Sequence, residues 1–101
     1  MPMPKPIYWS PLSESDFESI LDYLKTNWGD KVVLKFIELI EEMINQISIN
    51  SKQFPVIHKK KRVRKCVMTK HNTLFYRDYK SIIHILRIYD TRRNPRKMNF
   101  K

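Results

Sequence analysis

The sequence contains a single cysteine and a single glycine among its 101 residues, and these two shortages exclude several kinds of site. One cysteine, Cys66, can form neither an internal disulfide nor a CxxC metal cage. One glycine, Gly29, cannot build the glycine-rich loop with which many nucleotide-binding proteins cradle phosphates. The sequence therefore predicts neither a metal ion nor a cofactor.

Long apolar runs are missing as well. No segment approaches the roughly 20 apolar residues of a membrane-spanning helix, and the opening residues MPMPKPIY lack the apolar stretch of a signal peptide. We therefore expect a cytoplasmic protein with no membrane partner. The length predicts a single domain over residues 1–101, which excludes a multidomain enzyme.

Acidic residues are scarce in only one half of the chain. Residues 1–50 carry four basic and eight acidic residues, a net charge of −4, whereas residues 51–101 carry sixteen basic residues against Asp78 and Asp90, a net charge of +14. A field of one sign over half of a small domain indicates an anionic partner. Nucleic acid, an acidic protein and a nucleic-acid-bound machine are all consistent with it.

Apolar residues at spacings of three and four predict two amphipathic helices, over residues 12–28 and from residue 33 to about residue 48. Ser10 is a suitable N-cap for the first helix, and Pro11 suits its first position. Gly29 is predicted to end the first helix and Asp30 to cap the second. A connection this short predicts an antiparallel helix hairpin.

After the Phe54-Pro55 pair the apolar pattern changes from helical to extended. Strands are predicted over residues 62–69, 73–78 and 81–89, with a turn at residues 70–72, and another over residues 7–9. The strand over residues 81–89 is apolar on both alternating faces, which is typical of a strand covered on both sides.

Five segments carry a resemblance to a known family: YWSP at residues 8–11, YLKTNWG at 23–29, FP at 54–55, LFYR at 74–77 and ILRIYDTRRNP at 85–95. In their order and spacing they resemble the RelE/ParE superfamily, over nearly the whole chain. The resemblance implies an α+β fold: an N-terminal strand and an antiparallel two-helix hairpin packed on an antiparallel β-sheet. It also implies the toxin of a type II toxin-antitoxin system, neutralised by a cognate antitoxin protein.

Two mechanisms occur in the superfamily. RelE-like members are ribosome-dependent endoribonucleases that cut messenger RNA, whereas ParE-like members poison DNA gyrase. In RelE-like sequences an arginine usually stands at the position of Thr73, and a tyrosine often lies near the end, where this chain has Phe100. The Asn-Trp-Gly and Phe-Tyr-Arg segments look ParE-like, so the resemblance favours DNA gyrase as the target over the ribosome and its messenger RNA.

The resemblance also suggests site residues. If the chain were a ribonuclease, the candidate catalytic residues would be Arg64, Lys65 and Arg92, which stand where RelE-like toxins carry basic catalytic side chains. The basic residues predicted to contact the target are Arg64, Lys65, Arg87, Arg92, Arg93 and Lys97. An antitoxin helix is expected against the hairpin, with an extended segment covering Arg64, Arg92 and Arg93.

Histidines could supply acid-base chemistry, because their pKa values ordinarily lie near 6.5. The pattern places His58 and His71 in solvated loops and His84 in the core, so no acid-base pair emerges. Trp9 and Trp28 are predicted to be core anchors. A non-toxic, basic nucleic-acid-binding module is the remaining alternative, and it would bind DNA or RNA with a steep salt dependence.

Overall fold

The structure, a computed structural model, describes residues 3–92. Its elements in chain order are strand β1 (Ile7–Trp9), helix α1 (Pro11–Trp28), helix α2 (Asp30–Ile49), a 3-10 turn (Ser51–Gln53) and strands β2 (Val56–His58), β3 (Val63–Val67), β4 (Asn72–Asp78) and β5 (Ile83–Asp90). Both helices contribute to a core on one face of a single five-stranded sheet. The predicted α+β fold is confirmed.

The helix hairpin is built around Gly29. Ser10 caps α1 by accepting a hydrogen bond from the Ser13 N–H at 3.0 Å, and Pro11 is the first helical residue, as predicted. Gly29 ends α1 with a φ of 89°, a left-handed conformation that a residue without a side chain adopts at little cost. The prediction that Asp30 caps α2 is wrong, because Gly29 occupies the cap position and Asp30 is the first residue of the helix.

The strands lie in the order β1-β5-β4-β3-β2. β1 runs parallel to β5, with Ile7 opposite Ile83, and every other neighbouring pair is antiparallel. Strand β2, which the sequence pattern did not predict, forms the far edge and is exposed along its length. The predicted boundaries also shift: β3 is shorter than residues 62–69, and Asn72 begins β4 instead of lying in the turn.

The main core lies between the hairpin and the sheet. Its buried side chains are Ile20, Leu24, Phe36, Ile40, Ile47, Cys66, Leu74, Tyr76, Ile83, Ile85 and Ile88. A smaller buried cluster, Val63, Phe75, Leu86 and Tyr89, lies on the other face, which we call the outer face of the sheet. The thiol of Cys66 is fully buried, and burial raises its pKa to about 11, so it is not a reactive thiolate.

Helix α1 takes the place of a strand where β1 stops. Beyond Trp9, the Ser10 N–H donates to the Ile85 carbonyl at 3.0 Å. Asp16 then accepts a hydrogen bond from the Ile88 N–H at 3.0 Å and pairs with the Arg87 guanidinium through Nε at 2.8 Å and Nη2 at 3.0 Å. One helix carboxylate thus satisfies a backbone donor of β5 and fixes the helix against that strand. None of the helices that the structure describes is long and apolar enough to cross a bilayer.

This contact predicts an asymmetry between two carboxylates of α1. Asp16→Ala removes a bidentate pair and the partner of the Ile88 N–H, and should lower the free energy of unfolding by about 2–3 kcal/mol. Asp22→Ala removes the same charge from an exposed position of the same helix and should change it by less than about 0.5 kcal/mol. Urea denaturation followed by circular dichroism measures both, and equal losses would contradict the role given to Asp16.

Candidate interaction site

Arg64, on the helix-facing side of β3, is held by the chain around it. Its Nε lies 3.3 Å from Asp78 Oδ2, and its Nη1 donates to the carbonyl of Phe54 at 2.6 Å and to that of Lys52 at 3.2 Å. These bonds tie the segment after α2 to the sheet. Arg64 therefore fills a structural role at this end of the molecule.

Asp78 is the nearly buried carboxylate at the centre of that arrangement. Lys5 Nζ donates to Asp78 Oδ1 at 2.9 Å and to the Tyr79 carbonyl at 2.8 Å. Burial favours the neutral acid, but the hydrogen bonds from Lys5 and Ser51 and the charges of Lys5 and Arg64 outweigh it and lower the pKa of Asp78. The N-terminal segment is thereby fastened to the end of β4.

Arg92 forms a second pinned site at the opposite end of the sheet. Its Nη2 lies 2.7 Å from Asp90 Oδ2, its Nε lies 3.0 Å from Oδ1, and Asn72 donates to the same carboxylate at 3.0 Å. The guanidinium carbon lies 5.1 Å from the ring centre of Trp28 and 5.8 Å from that of Tyr23. Trp28 is 51% exposed, so the prediction that it anchors the core is wrong; it stacks on a cation instead. Trp9 does pack against the core.

Burial acts on Asp90 as it does on Asp78. Burial alone would raise the pKa of Asp90, but hydrogen bonds from the Arg92 side chain and backbone and from Asn72, with the charge of Arg92, lower it. The same pairing raises the pKa of Arg92. The charge of Arg92 is therefore largely balanced where it stands.

The residues proposed as a catalytic set are not brought together. Arg64 lies near Asp78 and Arg92 near Asn72, at opposite ends of β4, which are six residues or about 20 Å apart. Lys65 follows Arg64 in the same strand and therefore points to the outer face, opposite Phe75. Arg87 is paired with Asp16, while Arg93, Lys97 and Phe100 lie outside the described residues.

The histidines are dispersed too. His58 is exposed, but it ends strand β2 and does not lie in a loop. His71 lies in the β3–β4 connection, with Nδ1 at 3.4 Å from Thr91 Oγ1. His84 is half-buried on the outer face and contacts two tyrosine rings, so it is not the core histidine that was predicted. Within residues 3–92 no three His, Cys, Asp or Glu side chains lie close enough to hold a metal ion.

Beside Arg92, an apolar groove of about 330 Å³ separates the hairpin from the β3–β4 connection. Its lining residues are Leu24, Val32, Lys35, Phe36, Leu39, Thr69, Lys70, His71, Asn72 and Arg92. The hairpin wall is mostly apolar, and Lys35 and Lys70 place cations at the groove, whereas the charge of Arg92 is balanced by Asp90. This arrangement suits an extended or helical segment with apolar side chains flanked by acids.

Sequence patterns missed the partners of the arginines. The pattern of the amphipathic helix indicated that Asp16 is a solvated acid, although it pairs with Arg87, 71 positions later in the sequence. Asp78 and Asp90 could have been suspected, because they are the only acids in the basic half and an acid in a buried strand needs a counter-ion. No local signal connected Tyr23 and Trp28 with Arg92.

A profile of one protein family, described as the ParE toxin of the type II toxin-antitoxin system parDE, matches residues 7–95. No protein with a curated description matches the chain.

Solved structures share the fold. A chain of the chromosomal ParDE toxin-antitoxin system from P. aeruginosa superposes with a TM-score of 0.72 at 20% identity, over 85% of this chain and 95% of that one. A chain of the E. coli DinJ-YafQ toxin-antitoxin complex gives 0.59 at 12% identity, over 90% and 97%. The YoeB/ParE toxin from Agrobacterium tumefaciens gives 0.56 at 12% identity, over 84% and 97%.

The paired carboxylates predict acid sensitivity. Because the folded-state pKa values of Asp78 and Asp90 are lowered, the unfolded chain binds more protons in acid, and the free energy of unfolding should fall as the pH drops below about 4. Asp90→Asn should lower the free energy of unfolding by about 2 kcal/mol at pH 7. It should also flatten the acid limb, which is the fall of this free energy below about pH 4, since it removes one of the titrating groups. Asp22→Asn is the matched control and should retain the full acid limb. Urea unfolding between pH 2 and 7 measures this, and an unchanged slope in Asp90→Asn would contradict the assignment.

Proposed function

The chain belongs to the ParE toxins of type II toxin-antitoxin systems, and from that premise we propose that it arrests bacterial growth by poisoning DNA gyrase. In this proposal the toxin offers the target a complementary surface and performs no bond-breaking chemistry of its own. A cognate antitoxin neutralises it by covering part of that surface.

The observation that carries the choice of target is the pairing of the arginines. Cutting RNA without a metal requires cations available to a phosphate, a base for the 2′-hydroxyl and an acid for the leaving oxygen. Arg64, Arg87 and Arg92 are each paired with an aspartate, and Arg64 and Arg92 lie about 20 Å apart along β4. Guanidinium groups paired in this way stabilise the fold and are less available to stabilise the negative charge of a transition state.

Acid-base groups are equally poorly placed among residues 3–92. His71 is the histidine nearest to Arg92, since both line the apolar groove, but the guanidinium there is bidentate on Asp90. His84 and Arg77 are cross-strand partners at the other end of the sheet. Inhibition of an enzyme needs neither a base nor an acid, so gyrase poisoning asks less of these residues than messenger cleavage does.

Lys65 is the predicted target contact best suited to reach a partner. It is half-buried on the outer face and makes no ion pair with any residue that the structure describes. A cation of this kind gains more from an anionic partner than one already neutralised, because it loses no existing pair on binding. We therefore place the target-facing surface on the outer face of the sheet around Lys65.

The antitoxin is assigned to the apolar groove beside Arg92. The apolar wall of this groove suits a segment that presents apolar side chains to Leu39 and Val32 and acidic side chains to Lys35 and Lys70. Of the arginines expected to contact the antitoxin, Arg92 borders this groove, whereas Arg64 lies at the other end of the sheet. The solved relatives from P. aeruginosa and E. coli both belong to toxin-antitoxin pairs, which supports an antitoxin partner here.

Two leucines of α2 test the groove. Leu39→Gln places a polar amide in the groove wall and should weaken binding of the antitoxin encoded beside the toxin by about tenfold, measured by calorimetry. Leu34→Gln changes a leucine that is 59% exposed and lies outside the groove, and it should leave the affinity within about twofold. Equal effects of the two substitutions would place the antitoxin elsewhere.

The target is tested with two purified systems. The chain should make gyrase accumulate cleaved plasmid DNA, seen as linear plasmid after detergent and protease treatment, and should leave messenger RNA intact on translating ribosomes. Lys65→Gln should lower the yield of linear DNA several-fold, because it removes an unpaired cation of the target-facing surface. Lys25→Gln, an exposed lysine of α1, is the control and should act like the unchanged chain.

Two results would overturn the proposal. Messenger RNA cut at the ribosomal A site, with cleavage abolished by Arg64→Ala or Arg92→Ala in folded protein, would make the chain a ribonuclease. Folded protein that does not arrest growth, and whose expression needs no rescue by the neighbouring gene, would leave only the non-toxic binding module.

A further inference from the structure

Three aromatic rings meet on the outer face of the sheet, where β4 turns back into β5. The ring centres of Tyr8 and His84 lie 4.9 Å apart, and those of His84 and Tyr79 lie 5.2 Å apart. Tyr8 is opposite His84 in the parallel pair of strands, and it is 48% exposed. The rings therefore form a short row with an accessible end at Tyr8.

Two guanidinium groups flank this row. The carbon of the Arg62 guanidinium lies 5.9 Å from the Tyr79 ring centre, and Arg77 Nη1 lies 3.4 Å from the Tyr79 hydroxyl. Arg77 Nε is buried and has no hydrogen-bond partner among the described residues. A buried donor without an acceptor lowers the stability of the fold.

The position of Arg62 is fixed by a strained turn. Among residues 3–92, Arg62 is the only residue other than glycine with a positive φ, at 58°. Its N–H donates to the Lys59 carbonyl at 3.2 Å, and its Nε donates to the Asp78 carbonyl at 3.0 Å. The left-handed backbone costs about 1–2 kcal/mol, and these bonds hold the guanidinium beside Tyr79 in spite of that cost.

Charge around the row is positive. The only acids in the described strands, Asp78 and Asp90, point to the helix-facing side, where they are already paired. A groove of about 500 Å³ next to Tyr79 has Lys52, Arg62 and Lys80 in its lining, together with the ion pair of Lys5 and Asp78. Tyr8 also lines a second groove with Glu14 and Glu18, whose charge directs a polyanion away from that side of Tyr8 and toward Arg62 and Arg77.

We propose that the residues Tyr8, Arg62, Arg77, Tyr79 and His84, here called the ring strip, bind single-stranded nucleic acid. A base stacks on Tyr8, whose ring is backed by His84 and Tyr79, while phosphate oxygens accept hydrogen bonds from Arg77 and Arg62. A row of rings with two guanidinium groups at its Tyr79 end offers stacking surface for bases and cations for phosphates. An acidic peptide would need the cations but would have no use for the rings.

The ring strip shares no residue with the catalytic, target-binding or antitoxin-binding residues that the family resemblance suggested. Its assignment does not depend on gyrase being the target. It explains why a half-buried histidine lies between two tyrosines on a surface away from the core.

The test uses the purified full chain and fluorescence anisotropy with no gyrase or ribosome present. The probes are labelled oligothymidylate and oligouridylate of about ten nucleotides, the duplex of the same length, and a polyglutamate peptide of equal charge. We expect a single-stranded probe to bind at least about fivefold more tightly than duplex or peptide. Preference for the deoxyribose or the ribose probe identifies which nucleic acid is the natural ligand, and either preference supports the ring strip.

Variants separate stacking from charge. Tyr8→Leu should weaken binding about five- to tenfold with the salt slope unchanged, whereas Tyr8→Phe keeps the ring and should bind like the original chain. Arg77→Gln should weaken binding and reduce the slope of log affinity against log salt by about 0.7, one phosphate contact in single strands. Because Arg77 is half-buried, Lys80→Gln is a second, exposed charge variant, and Lys31→Gln on α2 is the charge control.

Two results of these binding measurements would contradict the ring strip. Duplex or polyglutamate that binds as tightly as the single strands, or Tyr8→Leu that binds like Tyr8→Phe, would overturn the ring strip. If the ring strip proves not to bind single-stranded nucleic acid, the gyrase proposal still stands, because the plasmid cleavage assay and this binding assay share no reagent except the toxin.

Discussion

The fold depends on one electrostatic constraint: each carboxylate that the sheet draws out of water must have a cation beside it. Asp16, Asp78 and Asp90 meet this condition with Arg87, Arg64 and Arg92, and in each case the pair joins segments that are distant in the sequence or closes a strand end. Asp78 fastens the N-terminal segment through Lys5. Asp16 fixes α1 along β5, and Asp90 sets the exit from β5 beneath the hairpin. Loss of Arg87 or Arg92 would leave a desolvated carboxylate without a cation, whereas Asp78 would keep Lys5 if Arg64 were lost.

The same constraint separates formal charge from available charge. The second half of the chain has a net charge of +14, yet three of its arginines are neutralised by aspartates and the first half supplies one of those aspartates. Among the described residues, the remaining cations of this half include Lys65 and Arg77 on the outer face, Lys59 to Arg62 at the β2–β3 turn, and Lys52 and Lys80 beside Tyr79. In our proposal the outer face around Lys65 contacts the target. In the same proposal the antitoxin occupies the apolar groove on the helix-facing side.

Much of the fold could be predicted, because its signals are local. Apolar spacing and Gly29 defined the hairpin, and alternation located β3, β4 and β5 to within a few residues. Strand β2 escaped prediction because three exposed edge residues carry no alternation of burial. The candidate site was harder to predict from the sequence, since Arg87 pairs with a residue 71 positions away and adjacent residues such as Arg64 and Lys65 point to opposite faces. Trp28 was misplaced for the same reason, because the cation that covers it arrives with the last described residue.

The parallel pairing of β1 with β5 has a consequence for biosynthesis. Ile7 lies opposite Ile83, so the first strand of the sheet finds its partner only after the rest of the described chain has been made. A contact across so much sequence closes a long loop, and such contacts form late and slow folding. The hairpin can form early from its own residues, but the outer face cannot be completed until β5 has emerged from the ribosome. Any surface that needs the complete sheet, including the row of rings that joins Tyr8 to His84, therefore forms only late in synthesis.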